Sequence, residues 1–292
     1  MMSAALSVDL EFFQHTPAYR SAAGSADEPA VGRDGVEFLL DAFAEADAAG
    51  TFFAVSDMAA DHADVLADVA AAHELASHTH THRHLSDLSS GERREELATS
   101  RERLESATDA DVVGFRAPSF DVADDHFPTL AETGYEYDSS VVPCRTIPGW
   151  YGGEYDTRRP SLASAVDPDA PAGLAEVPVA VMPGLRLPLT GTWIRFFGVR
   201  YTVLGMKLLA RRGVAPVLYV HPWELVDIPD IEGVPRRVYV RSGEYMRRAV
   251  ERILAQPFEF VPVRTLAEGV EAGEDPRTAT GSGGDRQQEA HR

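Results

Sequence analysis

His73-Glu74-Leu75-Ala76-Ser77-His78-Thr79-His80-Thr81-His82-Arg83-His84 places five of the chain's ten histidines within twelve residues. Neutral imidazole is the commonest side-chain ligand for zinc, cobalt, nickel and iron, so this density points to a metal. Alternating His and Thr also suits a polar strand edge or a solvated loop. Spacing alone leaves the ligand pair open. His78/His82 and His80/His84 are each four apart, and each pair shares a face if the backbone is helical. In an extended backbone all four lie on one face. Either way a carboxylate must come from elsewhere in the chain.

Composition narrows the setting. The 292 residues are 44% hydrophobic and 25% charged, enough for one large α/β domain with a sizeable core or for two small domains. Net charge is -19, and Lys207 is the single lysine. Such a surface suits a salt-adapted, halophilic protein, because salt screens the self-repulsion while carboxylates hold water. It argues against nucleic acid as a partner, since phosphate binding needs clustered cations. The single cysteine, Cys144, rules out an internal disulfide and a thiolate metal site. The N-terminus lacks the basic region and apolar run of a signal peptide. No window offers about 18 uninterrupted apolar residues, so the expectation is a cytoplasmic protein with no membrane span.

Patterning along the chain alternates strands and helices. Residues 4–9 read as a short buried strand that ends in Asp9-Leu10-Glu11, two carboxylates just past a strand end. Residues 15–34 read as a loop. Apolar spacing of three and four predicts a helix from Val36 to Ala48, then a strand over 51–55. A helix over Ala59–Ala72 leads to a strand at 75–77 that feeds His78. Ser89-Ser90-Gly91-Glu92 reads as a capping box for a helix to about Ser106. A strand at 112–115 delivers Arg116-Ala117-Pro118-Ser119-Phe120. A short helix over 125–133 and a strand at 135–137 end in Asp138. Residues 143–175 are rich in Pro, Gly and Asp and read as a long surface excursion containing Trp150. Residues 174–181 are strand-like, and 188–197 lead into a helix from Arg200 to Arg211. A strand at 217–220 ends in His221-Pro222-Trp223-Glu224. A helix over Glu244–Ala255, a strand at 258–261 and a closing turn or short helix over 264–270 follow. Residues 271–292 are expected to be a disordered tail, which leaves 1–270 as one domain. The alternation predicts a parallel sheet with helices outside, and polar residues recur at strand ends: Asp9, His78, Arg116, Asp138.

These pieces resemble the polysaccharide deacetylases with NodB homology, carbohydrate esterase family four. Asp9-Leu10-Glu11 resembles the first motif, in a D-x-E form similar to the subgroup found in exopolysaccharide gene clusters. Glu74-Leu75-Ala76-Ser77-His78-Thr79-His80-Thr81-His82-Arg83 resembles the second, Phe115-Arg116-Ala117-Pro118-Ser119-Phe120 the third, and Tyr137-Asp138-Ser139-Ser140 the subgroup's fourth region. Leu218-Tyr219-Val220-His221-Pro222-Trp223-Glu224 resembles the fifth. The resemblance covers residues 5 to about 268.

The resemblance implies a distorted (β/α) barrel of about seven parallel strands. It implies hydrolysis of N-acetyl groups on a sugar or glycan by a divalent metal, zinc first and cobalt as the alternative. The implied ligands are His78, His82 and Glu11. Asp9 is the implied base, Arg116 its brace, His221 the general acid and Asp138 the residue that orients it. Trp150 and Trp193, in Gly-flanked sequence, are expected to line the cleft, with Phe120 and Trp223 as further substrate contacts. Two other readings stay open: a carbon–nitrogen amidohydrolase of ring amides on the same scaffold, and a non-catalytic glycan-binding protein.

Overall fold

The computed structural model describes residues 2–23, 31–147 and 152–271. The chain runs β1 (Met2–Leu10), α1 (Pro17–Ala23), α2 (Arg33–Glu45), β2 (Thr51–Ala54), α3 (Ala63–Ala72), β3 (Glu74–Ser77) and α4 (Ser90–Thr108). It continues through β4 (Gly114–Phe115), α5 (His126–Glu132), β5 (Tyr137–Asp138), β6 (Ser161–Leu162), β7 (Ala175–Glu176), α6 (Gly191–Phe197) and α7 (Val199–Ala210). It ends with β8 (Val217–Val220), α8 (Glu244–Leu254), β9 (Phe258–Phe260) and α9 (Val263–Glu271). One sheet has the order β6-β7-β5-β4-β3-β2-β1-β8, with β9 paired to the start of β1. All pairings are parallel except β6 with β7. Past β7 the chain crosses to the far edge, where the Ala180 N–H donates to the Val217 carbonyl at 2.8 Å and bridges the two ends. The result is the expected distorted (β/α) barrel: seven parallel strands, β8 and β1 to β5 plus β7, curl together, with β6 and β9 as additions.

Strand parity assigns the inside. Leu6, Val8 and Leu10 pack with α2 and α3 residues in the outer core, while Ala5 packs in the inner one with Phe53, Ala76, Tyr137 and Val217. Period two therefore turns Ser7 and Asp9 inward with Ala5, and turns His78 inward beyond Ala76 and His221 beyond Tyr219. The same parity turns Asp138 outward, because Tyr137 and Ser139 face in.

The capping box is present: Ser89 caps α4, with its N–H donating to Glu92 Oε2 at 2.8 Å and its hydroxyl accepting from the Glu92 N–H at 3.4 Å. Several expectations need correction. Residues 15–34 are not one loop. Pro17 opens α1 where its missing N–H costs nothing, and the Thr16 hydroxyl accepts from the Tyr19 N–H at 3.2 Å. Residues 191–197 form α6 rather than a lead-in, and the 143–175 excursion carries β6, which hairpins onto β7. Of residues 174–181, Ala175–Glu176 form β7 and Val181 makes an isolated antiparallel bridge to Pro188. Trp150 and residues 272–292 lie outside the described residues. Among those described, no helix is long and apolar enough to cross a membrane.

Gly35 fixes how α2 meets the turn that follows β8. A Cβ there would lie 2.1 Å from the Pro222 carbonyl oxygen, a backbone atom with no rotamer to swing away. Gly35→Ala is expected to destabilise the fold by about 1–3 kcal/mol through overpacking, read as a lower melting temperature. An unchanged melting temperature would mean that α2 does not seat this closely on the turn.

Candidate active site

The five-histidine stretch folds as neither helix nor strand beyond Ser77. It is a loop in which Thr79 (φ 68°) and His82 (φ 55°) take left-handed backbone conformations. For a β-branched Thr this costs energy, roughly 1–3 kcal/mol, and side-chain bonds hold the loop against it. The Thr79 hydroxyl accepts from the His82 N–H at 3.0 Å. Glu96 of α4 accepts from the Thr81 N–H at 2.5 Å and its hydroxyl at 2.7 Å. Arg20 of α1 donates to the Thr81 and His82 carbonyls at 3.0 and 3.3 Å.

This loop resolves which histidines converge. Glu11, His78 and His82 are buried and bring one ligand atom each within 4.8 Å of one another. Glu11 Oε2 and His82 Nε2 are 2.5 Å apart. The other histidines are engaged elsewhere. His80 Nδ1 meets the Ser56 hydroxyl at 2.9 Å, His84 Nε2 meets Ser119 at 3.2 Å, and His73 Nδ1 accepts from the Gly50 N–H at 3.3 Å.

The donor set fits a divalent cation. His78 Nδ1 lies 2.7 Å from the Arg116 carbonyl, which can only accept, so Nδ1 carries the proton and Nε2 offers its lone pair. Burial, reinforced by the neighbouring His82, pulls the His78 pKa down to about 4, which keeps the ring neutral as a ligand must be. Burial alone would raise the Glu11 pKa, but His82, His221 and His78 outweigh it and hold the carboxyl ionised. The indole N–H of Trp223 donates to Glu11 Oε1 at 3.1 Å and fixes the carboxylate's orientation.

Beside this triad, Arg116 is fully buried and donates to Asp9 Oδ1 at 2.6 Å. Its remaining donors reach the Ser7 hydroxyl at 2.8 Å, the Ser139 carbonyl at 3.1 Å and the Ser139 hydroxyl at 2.9 Å. Its guanidinium sits 4.1 Å above the Phe53 ring. His221 Nε2 faces Asp9 Oδ2 at 3.9 Å and Glu11 Oε1 at 3.7 Å. His221 Nδ1 lies 3.1 Å from Glu224 Oε2, and Glu224 Oε1 lies 2.8 Å from Arg195 Nε of α6. Burial opposes a charge on His221, but Glu224, Glu11 and Asp9 together push its pKa up to about 9.

Asp138 does not orient His221. Its outward-facing carboxylate takes His126 Nε2 of α5 at 3.0 Å and the Ser140 hydroxyl at 2.6 Å. Glu224 holds His221 instead. The signal lay in His221-Pro222-Trp223-Glu224: Pro opens a 3-10 turn, and positions i and i+3 eclipse in that helix.

Asp9, Glu11, His78, His82 and His221 line a cavity of about 700 Å³ together with Phe120, Trp223 and Arg195. Phe120 stands on two successive left-handed residues, Ser119 (φ 55°) and Phe120 itself (φ 58°). Trp193 is not in the lining. It is buried in α6 and stacks on Phe197 at 5.6 Å, while its neighbours Thr192 and Arg195 reach the cavity.

Residues 26–137 match the family model described as polysaccharide deacetylase, and residues 139–268 match one described as a domain of unknown function, DUF3473. The boundary between the two matches falls inside β5, in a sheet that runs on without a break. A Mycobacterium smegmatis structure assigned as a polysaccharide deacetylase is similar at 24% identity and TM-score 0.65, covering 96% of this chain and 95% of that one. A Pseudomonas aeruginosa structure with the same assignment is similar at 16% identity and TM-score 0.62, covering 91% and 89%. A Puue allantoinase is similar at 18% identity and TM-score 0.62, covering 92% and 90%. No curated protein sequence matches the chain.

Removing the Trp223 donor tests whether Glu11 is held for a cation. Trp223→Phe is expected to weaken zinc binding to the stripped protein by about tenfold or more, measured by calorimetric titration. Unchanged affinity would mean that the indole bond does not support a ligand.

Proposed function

We propose that this chain is a polysaccharide deacetylase that removes N-acetyl groups from a sugar or glycan with a divalent metal held by Glu11, His78 and His82. It is a hydrolase of carbon–nitrogen bonds. Zinc is the first choice of metal, given two imidazoles and a carboxylate, and cobalt the alternative. The acetylated substrate is a nucleotide- or lipid-linked precursor or a short glycan.

The observation that carries the reading is a base and an acid facing each other beside a three-ligand set. When bound, the cation polarises the acetyl carbonyl and makes a bound water more acidic. Asp9 takes a proton from the attacking water, and its Oδ2 is free to do so because Arg116 occupies Oδ1. Burial beside Arg116 keeps the carboxylate fixed through the reaction. His221 donates a proton from Nε2 to the nitrogen as the C–N bond breaks, so water and amide become acetate and amine. Glu224 accepts from His221 Nδ1–H, leaving Nε2 as the donor toward the substrate. Arg195 balances the Glu224 charge. Phe120 and Trp223 line the wall against which a sugar ring packs.

Two outcomes check these roles. Asp9→Asn keeps an acceptor for Arg116 but loses the base, so kcat should fall roughly 10²–10⁴-fold with zinc affinity retained. Full activity in that variant would remove Asp9 as the base. Glu224→Gln removes the largest influence raising the His221 pKa. The protonated acid is present below its pKa, so the alkaline limb of the rate profile should move to lower pH, with kcat reduced more than KM. A limb that stays in place would separate Glu224 from the acid.

A further inference from the structure

Residues 177–223 contain no Asp or Glu, in a chain with 46 acidic residues and a net charge of -19. The same stretch carries Arg186, Arg195, Arg200, Lys207, Arg211 and Arg212, and Lys207 is the single lysine of the protein. Four of the exposed large hydrophobic residues also lie here: Leu185, Phe196, Phe197 and Leu204.

Along α7 and its C-cap the exposed positions are Arg200, Leu204, Lys207 and Arg211, spaced by four, three and four. That spacing puts them on one face, while Thr202, Gly205, Met206 and Leu209 are buried on the other. Phe197, 51% exposed, stands at the α6–α7 junction, and Leu204, 53% exposed, lies one and a half turns into α7. None of Arg200, Lys207, Arg211 and Arg212 makes an ion pair among the described residues. Elsewhere the chain pairs its arginines freely, as with Arg94 and Glu132 or Arg264 and Asp111.

Cations interleaved with large apolar side chains on one exposed helix face are the composition of an interfacial membrane helix. Apolar groups enter the headgroup boundary while the cations meet anionic lipid. A two-fold contact between copies would press this cationic face against itself. The carboxylates of other faces do not forbid docking, since their repulsion is screened beyond about 8 Å at physiological ionic strength. We propose that the α6–α7 face docks this protein on an anionic lipid surface. The face and the cavity share a helix, because Thr192 and Arg195 of α6 line the cavity while Phe196 and Phe197 end it in solvent.

The test is co-sedimentation of the metal-loaded full chain with vesicles of phosphatidylglycerol or of phosphatidylcholine, at about 0.15 M ionic strength. Binding is expected to phosphatidylglycerol and to be at least about tenfold weaker to phosphatidylcholine. Two variants, Lys207→Glu with Arg211→Glu, and Phe197→Ser with Leu204→Ser, should each lose about tenfold or more of that binding while melting as the parent does. No binding, equal binding to both lipids, or binding unchanged in both variants would overturn the proposal. So would a dimer, seen by light scattering, that the variants dissociate while the parent ignores vesicles; that result would give the face to a second copy.

Discussion

The site depends on one buried positive charge. Arg116 has no exposure, and an unpaired guanidinium in the barrel would cost several kcal/mol. The interior is therefore built to receive it. Ser7 and Ser139 give small inward-facing side chains with oxygen acceptors, Phe53 offers a ring face, and Asp9 gives the countercharge. Strand parity brings Ser7 and Asp9 to the same side of β1, so two of the acceptors that hold Arg116 come from one strand.

From that pair, charges alternate in sign from contact to contact. Arg116 meets Asp9, Asp9 faces His221, His221 meets Glu224, and Glu224 meets Arg195. Glu11 sits beside His221 and His82 and is oriented by Trp223. Each buried charge has an opposite neighbour, which is the condition for keeping so many ionisable groups out of water. In the proposed mechanism the acid, His221, is the group surrounded by carboxylates, and the base, Asp9, is the group fixed by an arginine.

The barrel was legible because short apolar strand segments alternate with helical spacing of three and four, and because polar residues stand at strand ends. The histidine pair was not legible from spacing. His78 and His82 meet through a loop with left-handed Thr79 and His82, a conformation that neither a helical nor an extended template describes. The resemblance selected that pair where the pattern could not. Asp138 was misjudged because a carboxylate at a strand end faces in or out by parity, and Tyr137 takes the inward place. Trp193 was misjudged because its Gly-flanked sequence is the start of a helix rather than a loop. Glu224 stood in plain view three residues after His221, where only the 3-10 geometry of the turn gives it a role.

The most direct measurement is acetate release from N-acetylated hexosamine oligomers in high salt, by protein stripped of metal and then given zinc or cobalt. Release that returns with the metal and is absent in His78→Ala is the expected result. Zinc bound tightly at Glu11, His78 and His82 with no acetate from any acetylated sugar would contradict the deacetylase reading, and ring opening of cyclic amides under those conditions would replace it.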